Sequence, residues 1–441
     1  MKKSLKITLL ILIIIQIFVP VTLQTVKAQL SGWSYHKEHE IVGSTAGAVS
    51  NYPMLIRVNY GDGYDYDGDV FVQGKCKTDF GDIRFVDSDQ QTLLNYWLEE
   101  IYVKSDSTYF YVLSREKLVM SPEAGTWYST GLHSLDIVEF NSGGYKYWGY
   151  FSGTDSGNAE SVDSDIGLAR SNDLINWDVY GTSPILTNRR GATVALVSGT
   201  IHMFATADFP DDTYIVHLTS TDGINFGNEE IVVPPSTGKK NQNPFIYHNP
   251  NDNKWYLYYF HLDGTTRYIK ARSASDINDL DTASDVTVLS SSSTIAWPTI
   301  YYSEEDNKYY LLCEVYEDDE WRVKAWYSDS PTSGFTPCAN SLILTAQRAC
   351  PTIRKFGDKL LLSYSHRIGT VWDNRIAFLS TRAADFWVKI PNIPASPDTV
   401  TIYMYYGKSD AASLSDPENV FPFCDMFSGS AVDSSKWNSF T

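Results

Sequence analysis

Carboxylate side chains stand at the ends of short apolar segments in the middle of the chain, where they could carry out acid–base chemistry. Asp208 and Glu314 each end such a segment, and Asp136 lies at the start of one. A buried carboxyl group with a raised pKa can donate a proton while a second carboxylate accepts one, so these are the candidate catalytic residues. Two simpler roles stay open: Asp136 as a loop-capping carboxylate, and Glu314 as a solvated charge at a strand end.

Amide, imidazole, guanidinium and indole groups at comparable places could hold a ligand by hydrogen bonds or by ring stacking. The predicted substrate-binding residues are Asn243, His261, Trp297, Arg348, His366 and Arg367. For the two histidines the alternatives are a hydrogen-bonded structural role and a metal ligand. For Trp297 the alternative is packing between neighbouring strands.

Four aspartates, Asp62, Asp65, Asp67 and Asp69, lie close together before this region. Alternating carboxylates on a loop offer the hard oxygen ligands that Ca²⁺ prefers. The segment lacks the glycine position and the closing glutamate of an EF-hand, so a solvated acidic loop is the alternative to a calcium site. No other cofactor is predicted.

A repeated phrase organises the region that carries the catalytic and binding candidates. Each of five copies joins a β-rich run to a serine, and the serines are 49, 53, 55 and 52 residues apart. These serines are Ser171, Ser220, Ser273, Ser328 and Ser380. Two apolar runs around a polar turn precede each copy, which indicates a hairpin. A period near 50 with four short strands per unit predicts a five-bladed β-propeller over residues 108–382.

A propeller brings one loop of each blade to a central pocket. The residues that open the first strand of a blade, or that end its second strand, face this pocket. The candidate catalytic and substrate-binding residues occupy such positions.

The segments on either side of the propeller, residues 30–107 and 383–423, alternate apolar and polar residues over short strands. This pattern predicts one β-sandwich into which the propeller is inserted, and the expected fold class is all-β. With the strand that contains Trp97, Leu98 and Glu99, the two segments resemble the domain-of-unknown-function family 2341. That resemblance implies a surface or extracellular role. Residues 424–441 resemble the opening of a concanavalin-like lectin module.

The propeller repeat resembles family 43 and family 32 glycosidases in its Pro-x-Ile opening strands and in segment 166–177. The resemblance implies hydrolysis by a general acid and a second carboxylate that face each other across the glycosidic bond. It places Asp at the opening of blade one, Asp before the proline of blade three and Glu at the opening of blade four. Asp136 can match the first position as the base, but Asn243 and Trp297 stand at the other two. Glu314 is then the candidate acid.

The ends and the charge of the chain indicate where it works. Residues 1–28 begin with Met1, Lys2 and Lys3, continue with a long apolar stretch and end on a small residue, which predicts a secretory signal peptide; an uncleaved anchor is the alternative. The net charge of −18 argues against nucleic acid or an anionic membrane surface as partner. The five scattered cysteines show no CxxC spacing, so no zinc or redox motif is predicted.

The sequence therefore predicts an extracellular or cell-surface protein whose partner is a poly- or oligosaccharide. Two functions are open. One is a glycosidase with Asp136 as base and Glu314 as acid. The other is a non-catalytic protein for glycan binding, adhesion or surface structure.

Overall fold

The computed structural model describes residues 30–156, 164–209, 212–425 and 436, and nearly all regular structure within them is β-strand. The predicted all-β fold class is confirmed. The signal peptide predicted for residues 1–28 and most of the module predicted from residue 424 lie outside the described residues. Across the described ranges, no helix is both long enough and apolar enough to span a membrane.

The strands fall into three consecutive groups. The first group is β1 (Tyr35–Val42), β2 (Val49–Asn59), β3 (Asp69–Phe71), β4 (Arg84–Val86) and β5 (Tyr96–Val103). The central group is β6 (Val112–Leu113), β7 (Lys117–Met120), β8 (Gly131–Ser142), β9 (Tyr145–Thr154), β10 (Asp165–Ser171), β11 (Asp178–Val179), β12 (Arg189–Val197), β13 (Thr200–Phe209), β14 (Asp212–Ser220), β15 (Gly227–Val233), β16 (Lys239–Asn249), β17 (Lys254–Asp263), β18 (Thr266–Ala274), β19 (Val286–Ser291), β20 (Thr294–Ser303), β21 (Lys308–Glu317), β22 (Glu320–Ser328), β23 (Thr336–Leu344), β24 (Arg348–Phe356), β25 (Lys359–Ile368) and β26 (Val371–Ser380). The last group is β27 (Arg382–Ile393) and β28 (Thr399–Tyr406). Two short helical turns, Ile277–Asp281 and Pro417–Val420, complete the regular structure of the described residues.

The first and last groups form a β-sandwich. One sheet has the order β1-β28-β4 and the other β3-β2-β27-β5. Alternate side chains of both sheets meet in one apolar core, for example Ile56 of β2, Phe386 of β27 and Met404 of β28. Because β2 and β5 both pair with β27, residues from before and after the central group share a sheet. The central group is therefore an insertion in the sandwich.

The central group forms five units of four antiparallel strands, numbered here as blades one to five; single parallel bridges join blade two to blade three and blade five to blade one. The blades are β8–β11, β12–β15, β16–β19, β20–β23, and β24–β26 with β7 as the outer strand. The innermost strands β8, β12, β16, β20 and β24 each contact the next, and β24 contacts β8. The contacts close a ring, and β7, which precedes blade one, completes blade five.

Apolar cores between neighbouring blades hold the ring together. Each of five buried clusters joins side chains of two successive blades. Between blades one and two, for example, Trp148 and Tyr150 pack with Met203. Fully burying one large apolar side chain stabilises a protein by roughly 1.5–3 kcal/mol. This explains the abundance of aromatic residues in the strands without assigning them to a ligand.

The acidic loop of the sandwich docks onto the propeller. Three of its carboxylates reach cations of the propeller segment: Asp62 pairs with Lys359 at 3.0 Å, Asp67 with Lys117 at 2.7 Å, and Asp69 with Arg115 at 3.9 Å. Asp65 pairs instead with Lys37 of β1 at 2.8 Å. Phe71, the last residue of β3, lies in the core between blades five and one. The loop is thus the structural joint between the two domains.

This geometry bears on the calcium prediction for Asp62, Asp65, Asp67 and Asp69. Each carboxylate faces a different cationic partner. A calcium ion requires several oxygen ligands around one point. No group of three or more His, Cys, Asp or Glu side chains is arranged in that way in the described parts of the chain. The calcium site stays a prediction from sequence.

Candidate functional site

The axial end of the propeller, where the innermost strands begin, is the place to which the sequence assigns chemistry. Each innermost strand carries a β-bulge near its start. One residue in each bulge has a left-handed backbone: Ser134 (φ 50°), Gly191 (φ 59°), Asn243 (φ 57°), Trp297 (φ 48°) and Cys350 (φ 52°). Bulges re-aim side chains and are frequent next to binding sites. Here they make a five-fold ring in which no position carries a carboxylate.

Hydrogen bonds between blades support these bulges. A side chain on the second strand of a blade accepts the bulge N–H of the next blade. The four pairs are Gly191 to Ser152 (2.8 Å), Asn243 to Thr206 (2.9 Å), Cys350 to Glu314 (3.0 Å) and Ser134 to Ser365 (3.2 Å). In blade three the equivalent second-strand residue is Phe260, because Phe260 pairs with Gln242 as Glu314 pairs with Ala296.

Glu314 therefore occupies a structural position in this ring. It is 1% exposed, and its Oε2 accepts the N–H of Cys350. The same position carries hydroxyl residues, Ser152 and Thr206, in blades one and two, and they make the same bond. The carboxylate links blade four to blade five. Its assignment as a general acid stays a prediction. The alternative, a solvated charge at a strand end, does not match the burial of the side chain.

Asp136 belongs to a second ring of links, one step further along the axis. Its two oxygens accept five hydrogen bonds, from Ile137 N, Thr193 Oγ1, Val194 N and, twice, from Arg354 at 2.6 and 2.7 Å. The residue is 1% exposed. Thr193 of blade two and Thr299 of blade four are its equivalents, and they accept the corresponding N–H of the next blade at 3.1 and 3.0 Å.

Arg354 completes this second ring from blade five. Besides Asp136 of blade one, its guanidinium donates to the carbonyl of Val194 in blade two at 3.2 Å and to that of Ile246 in blade three at 3.0 Å. It also lies 4.3 Å over the ring of Phe245. The pair Asp136–Arg354 thus ties four blades together across the axis. A carboxylate with five donors has no lone pair left for a substrate proton.

Trp297 fills the axial end. It is 8% exposed, and a Cβ atom added to Gly191 of blade two would lie 3.0 Å from its indole Cη2. Blades two and four are not neighbours, so the indole crosses the ring. It clusters with Phe260, Ala349 and Cys350 from the blades on either side of it. Its Nε1 is buried and has no hydrogen-bond partner among the described residues. Trp297 packs between blades, as in the alternative that the sequence left open, and its role in substrate binding stays a prediction.

Two further predicted residues, Asp208 and Arg348, join ion pairs at the rim. Asp208 pairs with Arg190, the residue that precedes the bulge of blade two. Arg348 donates twice to Glu116, at 2.7 and 2.9 Å, and Arg375 donates to the same carboxylate at 2.6 Å. Burial opposes ionisation of Glu116, but the bond from Arg348 and the charges of both arginines outweigh it and lower its pKa.

His366 and Arg367 lie beside this network. Burial, followed by the charges of Arg348 and Arg375, lowers the pKa of His366, so the ring is neutral at pH 7. Its Nδ1 is buried and makes no hydrogen bond within the described residues. Arg367 donates to the carbonyl of Gly369 at 3.0 Å and lies 6.0 Å from the ring centre of Trp372.

His261 occupies the place in blade three that His366 occupies in blade five, but its surroundings differ. It pairs across the hairpin with Asn241, as His366 pairs with Arg348. Its Nδ1 lies 2.6 Å from Asn241 Oδ1. Asn241 Nδ2 donates to the carbonyl of Pro234 at 3.1 Å, which fixes the orientation of the amide. Oδ1 must therefore accept from His261, and the proton is on Nδ1.

His261 opens into a cleft of about 560 Å³ on blade three, bounded by the segment that enters from blade two. We call this the blade-three cleft. Its polar lining is Ser236, Lys239, Asn241, His261, Asp263, Tyr268, Lys270, Arg272, Asp285 and Thr287. The volume lies within the range of small-molecule sites.

Of this lining, sequence reasoning selected His261 alone. Asn241, Tyr268 and Lys270 were missed. Hairpin register is the signal that could have found Asn241 and Tyr268, since both lie opposite His261. Asp263 and Thr266 close the hairpin around Gly264, and the resulting register sets Tyr268 directly opposite His261. The register of β16 with β17 likewise sets Asn241 opposite His261.

The comparisons with known proteins agree with this architecture. A family described as "Domain of unknown function (DUF2341)" matches residues 79–121 and 376–440. The unmatched residues between them contain β8 to β25, as expected for an inserted propeller. The second match continues to residue 440, through the segment where the sequence predicted a lectin-like module. No curated protein matches this chain.

Solved structures resemble the propeller. The catalytic domain of the Coprinopsis cinerea GH62 alpha-L-arabinofuranosidase has a TM-score of 0.50 at 11% identity, covering 63% of this chain and 99% of that one. An alpha-L-arabinofuranosidase from Podospora anserina has a TM-score of 0.47 at 12% identity, covering 62% and 98%. A thermostable family-43 glycoside hydrolase has a TM-score of 0.45 at 13% identity, covering 59% and 92%. At such identities the first similarity shows a shared fold: the propeller has the architecture of a glycosidase domain.

Proposed function

We propose that this protein binds carbohydrate outside the cell, or at its surface, without hydrolysing it at the propeller axis. The observation that carries the proposal is which residues occupy the axial end and what they bind. Of the three positions where the resemblance to glycosidases calls for an acid, two carry Asn243 and Trp297; in blade one the bulge residue is Ser134, and Asp136 follows it by two residues. The two nearby carboxylates, Asp136 and Glu314, are buried links between blades.

Hydrolysis of a glycosidic bond needs two carboxyl groups that reach the bond from opposite sides. The indole of Trp297 occupies the axis between the blades from which such groups would come. Carbohydrate as ligand class is supported by the glycosidase-like fold and by the blade-three cleft, where an oriented imidazole and a tyrosine lie together. Export is supported by the predicted signal peptide.

The test separates binding from turnover. The full chain is incubated with arabinan, xylan and acidic polysaccharides, and reducing-sugar release is followed beside affinity electrophoresis. We expect retardation of the protein by at least one glycan and no release of sugar. Release that Glu314→Gln or Asp136→Asn abolishes, in variants that keep the wild-type unfolding midpoint, would establish the glycosidase alternative. No retardation by any glycan would favour a purely structural surface role.

A further inference from the structure

The blade-three cleft differs from the axial end because its polar groups are oriented but not all used by the protein. Its cations show this first. Lys239 pairs with Asp263 at 2.7 Å and Arg272 with Asp285 at 2.6 Å. Lys270 is half-buried, and no carboxylate in the described parts of the chain lies within ion-pairing distance of it. The cleft therefore has three cations against two carboxylates, in a chain whose net charge is −18.

The second feature is the acceptor nitrogen of His261. Burial, then the charges of Lys270 and Lys239, lower the pKa of this histidine, so the ring is neutral at pH 7. Because Asn241 holds the proton on Nδ1, Nε2 is left with a lone pair that can accept a hydrogen bond. An acceptor at this place suits a hydroxyl group and does not suit a carboxylate.

The third feature is an aromatic ring. The ring centres of Tyr268 and His261 are 5.8 Å apart, and the two residues face each other across β17 and β18. A tyrosine ring offers apolar surface together with a hydroxyl group. A sugar ring has apolar C–H faces and hydroxyl groups at its edge, which match Tyr268 and His261 Nε2.

We infer that the blade-three cleft binds a saccharide that carries a carboxylate, such as a uronic acid residue of a polysaccharide. The carboxylate pairs with Lys270, a ring hydroxyl donates to Nε2 of His261, and the sugar face lies near Tyr268. This inference rests on the proposed function, since it names the place and the ligand class of carbohydrate binding. A uronate has a hydroxyl-bearing ring beside its carboxylate, whereas an acidic peptide offers the carboxylate without the ring.

Lys270→Met tests the inference, because it removes the charge and nearly keeps the side-chain volume. Lys254→Met is the matched control, since Lys254 opens β17 at the opposite end of the same hairpin. The full chain is titrated with oligogalacturonate and oligoglucuronate, and with neutral xylo-oligosaccharides of equal length, by calorimetry at two salt concentrations. We expect Lys270→Met to weaken binding of an acidic oligosaccharide at least tenfold, and Lys254→Met to leave it within twofold.

A second variant addresses the neutral part of the site. His261→Phe keeps a ring but removes the Nε2 acceptor, and we expect it to weaken uronate binding several-fold with little change in the salt dependence. Lys270→Met, in contrast, should flatten the salt dependence, because the ion pair is lost.

Each opposing result has a distinct meaning. Unchanged uronate binding by Lys270→Met would place the site elsewhere and overturn this inference while leaving the proposed function standing. Equal binding of neutral and acidic oligosaccharides, or competition by poly-glutamate at equal concentration, would also overturn it. Absence of binding to every saccharide, acidic or neutral, would overturn the proposed function itself.

Discussion

The axial end of the propeller and the blade-three cleft contain the same kinds of side chain. They differ in how many of these side chains already have hydrogen-bond or ion-pair partners within the protein. At the axial end, Asp136 accepts five hydrogen bonds, from blades two and five and from the neighbouring N–H of Ile137, and Glu314 accepts the bulge N–H of the next blade. In the cleft, Asn241 orients His261 but leaves Nε2 as an acceptor, and Lys270 has no ion-pair partner within the described residues. The difference teaches that residue type alone does not mark a site.

The contrast has an energetic cause. A buried charge is tolerated when donors surround it, and removing a partner is then costly. A half-exposed charge is still hydrated, so it can stay unpaired in the free protein at a small cost in free energy. In this propeller the two axial carboxylates are surrounded by donors from other blades, whereas the cleft keeps groups that are oriented but not all paired.

The largest effect is expected from removal of the cation at the axis, which tests whether the axial carboxylates are structural. Arg354→Met leaves Asp136 buried without its guanidinium, and we expect the free energy of unfolding to fall by about 3–5 kcal/mol. Urea denaturation measures this. Adding Asp136→Asn to the same chain should restore part of the loss, because the uncompensated charge is gone. A loss below about 1 kcal/mol would show that the pair is not a structural clamp.

Two buried histidines set the pH range over which the propeller keeps its full stability. Burial lowers the pKa of His133, at the opening of blade one, to about 3, and that of His217, in blade two, to about 4. Unfolding restores values near 6.5, so the unfolded chain binds protons first as the pH falls. The stabilisation is complete above pH 6.5 and is lost progressively below it.

The expected loss of unfolding free energy for one such histidine is on the order of 3 kcal/mol between pH 6.5 and pH 4. Urea midpoints across this range measure it. His133→Phe should reduce the slope. A slope that is the same in wild type and variant would mean that His133 titrates normally in the folded protein.

The role of Glu314 is sharpened by comparing it with its equivalent in blade two. Glu314→Ala and Thr206→Ala each leave a bulge N–H without its acceptor, so each should lower the free energy of unfolding by about 1–3 kcal/mol. Similar losses would identify Glu314 as a blade link. A stable Glu314→Ala chain that loses sugar release would instead make it catalytic.

The smallest effect is expected in the cleft. Lys270→Met removes no ion pair within the folded protein, so its free energy of unfolding should stay within about 0.5 kcal/mol of wild type. Thermal or urea unfolding without ligand measures this. A loss as large as that of Glu314→Ala would place Lys270 among the structural residues and remove the basis of the contrast.

Much of the architecture could be predicted because its signals are local. The spacing of Ser171, Ser220 and the later serines, with paired apolar runs around polar turns, indicates four-stranded repeats without knowledge of any long-range contact. The equivalence of His261 and His366 also follows from the repeat. The domain boundaries drawn from these signals stay predictions, although β27 pairs with β2 as an inserted domain requires.

The sequence by itself determined the all-β class, the repeat, its insertion between two sandwich segments, and the absence of acids at two of the three positions of a glycosidase. Only the tertiary structure decided what the remaining carboxylates do. Asp136 accepts hydrogen bonds from Thr193 and Arg354, and Glu314 accepts one from Cys350. All three donors lie in other blades. Such contacts depend on how the ring closes, which no local pattern encodes. Lys270 has no distinguishing pattern in the sequence for the same reason. Only the fold shows that Lys239 and Arg272 beside it are already paired with carboxylates.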